Sequence, residues 1–252
     1  LLDALGARLP GPDGEPGSCS QPLWTGLSHG AAGMAWALFE LASAGGDQRH
    51  RQMALRAVQY ERRIFCPEAG NWPDLREADD QLPSVGGENK FECAWCHGAA
   101  GIGLARLLTL SHLNEPAVLH EIQVALATTL REGFHYNHSL CHGDLGNLET
   151  FLLANEVLGD SHSNNDGVTL AAKILQSIRE HGPRCGNPLD VETPGFMTGI
   201  SGIGYGLLRV AAPDRVPSVL TLQPPRDRSC TKKSLLNPLT SGKPAKQGVD
   251  HV

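Results

Sequence analysis

The sequence lacks several features, and each absence removes a class of protein. No segment approaches the unbroken run of about 20 apolar residues that a membrane-spanning helix needs. The opening stretch, LLDALGARLPGPDGEPGSCS, holds Pro, Gly and acids where a secretion signal would carry a basic start and an apolar run. A cytoplasmic protein without a membrane span is therefore expected. Basic residues are not in excess: 21 Lys and Arg face 27 Asp and Glu, a formal net charge of -6. No general positive field draws in nucleic acid or an anionic membrane surface. Aromatics make up only 5% of the chain. Long Val/Ile/Thr/aromatic alternations, and Asn-Gly or Asp-Gly turns between two such runs, are missing, which leaves little from which to build a sheet. The seven cysteines are an odd number scattered over 252 residues. They do not form the framework of a small secreted domain, so they read as metal ligands or free thiols.

What is present is a repeated corner. Ser28-His29-Gly30-Ala31-Ala32-Gly33, Cys96-His97-Gly98-Ala99-Ala100-Gly101 and Cys141-His142-Gly143-Asp144-Leu145-Gly146 share one pattern, and Thr198-Gly199-Ile200-Ser201-Gly202 is a worn copy. Each G-x-x-G corner leads into a small-residue and aliphatic stretch: MAWALFELA, IGLARLLTL, NLETFLLANEVL and IGYGLLRVA. These are apolar on more than one side, as helices packed all round should be. HRQMALRAVQYERRIF, PAVLHEIQVALATTLREGF and GVTLAAKILQSIREHG precede the second, third and fourth corners and carry one apolar stripe each, which suits an outer layer. The expectation is an all-α chain of helix pairs. If the inner helices stand side by side in a ring, the corners meet at one end around a single cavity.

Two corners bring Cys-His next to glycine. Zinc favours sulfur and imidazole, and a catalytic site keeps three protein ligands and an open position. Cys96 with Cys141 and His142 supplies such a set. Cys93 offers a rival arrangement, a closed Cys₃His structural site with no room for substrate. In a third reading the three cysteines are small buried hydrophobes and the histidines cap loops. His29 stands on the same kind of corner with serine in place of cysteine, which makes it a candidate acid or base. Cys19, Cys66, Cys185 and Cys230 have no local ligand partner, and the histidines off the corners, His138 among them, read as solvated or capping. Pro67 to Lys90, rich in Pro, Gly and acids, reads as a long loop leading into the Cys96 corner.

LSHGAAG, AWCHGAAGIGLAR, SLCHGDLGN and GFMTGISGIGYGLLR, followed by VPSVLTL, resemble the cyclase motifs of LanC-like lanthionine cyclases. The likeness is greatest to the C-terminal cyclase domain of the class II lanthipeptide synthetases, LanM. The resemblance implies an α/α toroid, here an incomplete ring, with Zn2+ held by Cys96, Cys141 and His142. It implies His29 as the acid/base and His97 as a residue that positions substrate. The implied reaction adds a cysteine thiolate of a dehydrated precursor peptide to dehydroalanine or dehydrobutyrine in the same peptide. A thiol-binding or thiol-adding role on glutathione or other proteins, or an inactive fragment, is the alternative. Residues 1–20 are expected to be an irregular lead-in, 21–222 a partial cyclase domain and 223–252 a flexible tail. The family's opening repeats and an acidic residue they carry have no counterpart here, and a dehydratase domain would lie on another part of the polypeptide or on a partner chain. Lys90 and Glu92 stand where some members carry an arginine.

Overall fold

The computed structural model describes residues 2–9, 23–76, 90–159 and 166–225. Most of the Pro67–Lys90 loop, the tail from 226 onward, Cys19 and Cys230 lie outside the described residues. Eight α-helices are found among the described residues: α1 (Leu2–Arg8), α2 (Ala31–Ser43), α3 (Gln48–Ile64), α4 (Gly98–Thr109), α5 (Pro116–Glu132), α6 (Asp144–Leu158), α7 (Asp166–His181) and α8 (Ile200–Ala211). No strand occurs among these residues beyond three isolated bridges. The all-α expectation holds. It needs one correction, because Leu2–Arg8 is helical within the stretch expected to be irregular.

Local chemistry explains the outer helices. Asp47 caps α3, its carboxylate accepting from the Arg49 N–H at 2.6 Å, and Arg62 and Arg63 sit in the last turn where cations complement the helix dipole. Pro116 opens α5 at a position where its missing N–H costs nothing. α6 ends on Gly159 at φ +79°.

The inner helices α2, α4, α6 and α8 stand side by side, while α3, α5 and α7 back α2, α4 and α6. α4 lies in the middle, against α2, α5 and α6, and eleven of its twelve residues are buried. At one end of the row, α8 packs on α6. It buries only Gly202, Ile203, Gly206 and Arg209 and leaves Leu208 61% exposed. No comparable packing joins α8 back to α2 among the described residues, so within them this α/α toroid is an open ring.

One steric rule recurs at every corner. A Cβ on Gly33, Gly101, Gly146 or Gly202 would lie 1.9, 2.2, 1.9 or 1.7 Å from the carbonyl oxygen of Leu27, Trp95, Leu140 or Phe196, the residue six positions earlier in each case. The second glycine of G-x-x-G is therefore required where the incoming loop crosses the first turn of its own inner helix.

Candidate metal centre

Main-chain hydrogen bonds join the corners in sequence. The N–H groups of Leu140 and Cys141 both donate to the Met197 carbonyl, at 3.1 and 2.9 Å. Cys96 N–H donates to Cys141 C=O at 3.3 Å, and Ser28 N–H to Cys96 C=O at 3.2 Å. Gly26, at φ +99°, lets the first corner come this close, since a Cβ there would stand 2.7 Å from the Cys96 oxygen. Residues far apart in sequence thus meet at one end of the ring.

Side chains follow the backbone. Cys96 is buried, and its thiol lies close enough to Cys141, and Cys141 to His142, for each to shift the next one's titration. The Cys96 contact, helped by His142, lowers Cys141 to about 5 against the opposing effect of burial. The same contact, reinforced by burial, pushes the Cys96 thiol up. The pair releases one proton readily and holds the second. His142 is raised by its hydrogen bond to Cys141. Its Nε2 lies 2.8 Å from the Gly186 carbonyl and must donate there, because a carbonyl only accepts. That fixes Nδ1 as the nitrogen with the free lone pair.

His29 is exposed and close enough for its charge to lower Cys141. Its ring stacks on His97, with centroids 5.5 Å apart and planes at 29°, and Trp24 meets it edge-on at 6.4 Å. His97 is 2% exposed. Its Nδ1 donates to the Thr25 carbonyl at 3.3 Å, and its Nε2 is buried with no hydrogen-bond partner among the described residues. Burial, and then Arg76, hold His97 below its ordinary pKa.

Cys93 does not join this group. Its thiol donates to Thr129 Oγ1 of α5 at 3.7 Å, and burial raises its pKa.

Three residues beside the site, Asp74, Arg76 and Gly186, carry no signal in the sequence. Asp74 and Arg76 are ion-paired at 2.5 Å beside His97 and Cys96, whose charges they feel. Burial pushes the Asp74 carboxyl up, but the hydrogen bonds from Arg76 outweigh it and hold it low. They lie in a loop outside the repeat, and no sequence signal marked them. Gly186 was missed for the same reason.

Among the described residues no group of three His, Cys, Asp or Glu side chains is gathered in a metal-holding arrangement, so Cys96, Cys141 and His142 stand as a chain of contacts. The donor chemistry nevertheless fits zinc: two thiols that readily lose one proton, and an imidazole whose second nitrogen is anchored on a backbone carbonyl, the usual outer-shell support of a metal-bound histidine.

An open α/α toroid whose corner loops bring two thiols and an imidazole beside a stacked histidine pair defines a class of helical-ring protein. Residues 16–221 match the lanthionine synthetase C-like protein family, and the chain belongs to that family. It is 31% identical over 156 residues to the lacticin 481/lactococcin biosynthesis protein LcnDR2 of Lactococcus lactis subsp. lactis, covering 55% of this chain and 15% of that protein. Its fold is that of nisin cyclase, with a TM-score of 0.64 at 19% identity, covering 83% of this chain and 56% of that one. The chain spans little more than half of the one relative and about a seventh of the other. No described helix is long and apolar enough to cross a membrane.

Proposed function

We propose that this chain is the metal-bearing portion of a zinc-dependent lanthionine cyclase acting in the cytoplasm on a dehydrated precursor peptide. Cys96, Cys141 and His142 are the ligands, His29 is the proton donor, and His97 acts on substrate by holding His29. The observation that carries the reading is the contact chain from Cys96 through Cys141 to His142, with His29 close enough to bias Cys141.

Cys96, Cys141 and His142 would hold the zinc, which would supply acidification of a peptide cysteine thiol and keep it nucleophilic. The carbonyl of Gly186 keeps His142 in the tautomer that can accept a metal. The exposure of His29 leaves it accessible to a bound peptide. As the S–Cβ bond forms, the π pair of the dehydro residue moves onto Cα, and His29 donates the proton that Cα requires. The thiol loses one proton and Cα gains one, so the peptide's mass does not change. Helix pairs that close the ring against the exposed side of α8, and a dehydratase domain, are assigned to polypeptide outside the described residues or to a partner chain.

Incubation with a dehydrated, cysteine-containing peptide tests the reading. Loss of free thiol without mass change is expected, from protein carrying about one equivalent of zinc. Intact, zinc-loaded protein that leaves the thiol untouched would overturn it.

A further inference from the structure

Glu61 and Arg106 have fully buried side chains, and neither has a role in the chemistry above. Glu61 lies on α3 and Arg106 on α4, two turns beyond the Cys96 corner. Glu61 Oε1 accepts from the Gly26 N–H at 3.2 Å and the Ala32 N–H at 2.9 Å, the two amides that bracket Ser28 and His29. Its Oε2 accepts from Arg106 Nη2 at 3.0 Å. Arg106 Nε goes on to Glu121, which also takes Arg62. A line of alternating charge thus runs from the outer face of the ring to the loop that carries His29.

All the partners of Glu61 named here are donors, so the group that satisfies them is a carboxylate; a protonated acid would need an acceptor that none of them provides. Its charge also sits at the start of α2, where helix amides favour an anion. Tyr60, the preceding residue, donates its hydroxyl proton to the Leu23 carbonyl, so two adjacent side chains of α3 grip the same loop.

The ring contains an internal control. Arg209 follows the fourth corner much as Arg106 follows the second, and it pairs with buried Glu149 at 3.0 Å. That carboxylate takes Arg209 Nε and Nη2 and, among the described residues, holds no corner amide. One buried Glu–Arg pair fastens the His29 loop; the other joins α6 to α8 and, through Arg209 Nη1, holds the Pro213 and Val216 carbonyls beyond α8, away from the corners.

We propose that Glu61 is a positioning residue, whose carboxylate fixes the His29 loop to α4 and so sets His29 against the centre formed by Cys96, Cys141 and His142. The inference rests on His29 being the proton donor of the proposed reaction.

The test compares Glu61→Gln and Glu61→Gln/Arg106→Met with the control Glu149→Gln/Arg209→Met in zinc-loaded protein. The Glu61 variants are expected to keep about one zinc per chain and to lose about tenfold or more in kcat on a dehydrated peptide, with KM within about twofold. Small displacements of a reacting group have effects of this size. The ring resonances of His29 should shift or broaden in these variants. The control pair should lower Tm comparably while leaving kcat and the His29 resonances in place. The double variant buries no lone charge, so it carries the test if the single variant does not fold. In the wild type, the Gly26 and Ala32 amides should exchange as slowly as the core of α4. Wild-type kcat with unmoved His29 resonances in the double variant, an equal fall in kcat in the control, or fast exchange of those two amides would overturn the proposal. If the wild type shows no cyclisation, the functional reading fails, and the resonances and exchange rates still decide the role of Glu61.

Discussion

The second and third corners share the tripeptide Cys-His-Gly and put its histidine to opposite uses. At the second corner the helix begins on Gly98 itself, at φ +68°, with His97 as the N-cap. At the third it begins one residue later, and Gly143 is the N-cap at φ -128°. This one-residue shift turns His97 inward, where Nδ1 donates to Thr25 and Nε2 stays buried. It leaves His142 exposed, with Nε2 donating to Gly186 and, in the neutral ring, the lone pair on Nδ1. The two rings are opposite tautomers of the same residue in the same local sequence. Register against the helix start decides which histidine supports and which can ligate.

The largest expected effect breaks the comparison directly. His142→Ala should abolish zinc binding and lower cyclisation by about a hundredfold or more. His97→Phe, which keeps a ring to stack on His29 but loses the hydrogen bond to Thr25, should retain about one zinc and lose about tenfold in rate. Metal analysis of the two purified variants decides this, and equal zinc loss in both would remove the distinction.

Helix register can be attacked next. Gly98→Ala forces a Cβ to within 1.7 Å of the Glu92 oxygen at a positive φ and should cost about 3 kcal/mol or more in urea unfolding. Gly204→Ala, within α8 and with nothing within 4 Å, should be stabilising by about 0.5–1 kcal/mol.

A third histidine sharpens the contrast through pH. His138 precedes the third corner and is fully buried. Its Nδ1 accepts from the Arg184 N–H at 2.9 Å, so Nε2 donates to Ser177 Oγ at 3.0 Å. Burial, then the charge of Arg184, lowers it to about 4. The unfolded chain takes up this proton near pH 6.5, before the folded one does. Stability is therefore full well above pH 6.5 and falls as pH drops toward 4, by about 3 kcal/mol. His138→Gln should flatten the Tm profile over that window, and an unchanged slope would mean that His138 does not govern it. The smallest effect is expected at Cys93→Ser. With its thiol on Thr129, the substitution should leave zinc content unchanged and shift stability by no more than about 1 kcal/mol.

Much of the fold could be read from the corners. The apolar stretches beginning at Met34, Ile102, Asn147 and Ile203 are helices, although each begins about three residues earlier, because the first turn is wound from the G-x-x-G itself. The seven-residue α1 went unseen, being too short to display a period. The ligand candidates were legible because they ride on the repeat. Asp74, Arg76 and Gly186 were not, since their place beside the centre is set by loops whose course no local pattern encodes. Burial of His97 was equally hidden, as it follows from the one-residue register shift at Gly98.

The main-chain hydrogen bonds that link corner to corner also bear on the order of folding. Each helix pair can form from near neighbours, whereas the bonds from Met197 to Cys141, Cys141 to Cys96 and Cys96 to Ser28 join residues dozens of positions apart and carry the loop-closure entropy of long-range contacts. The thiols and imidazole come together only when these late contacts close. Zinc that binds only the closed form must then stabilise the protein in proportion to the logarithm of its concentration. If zinc is held as proposed, its supply acts on folding as well as on the proposed chemistry.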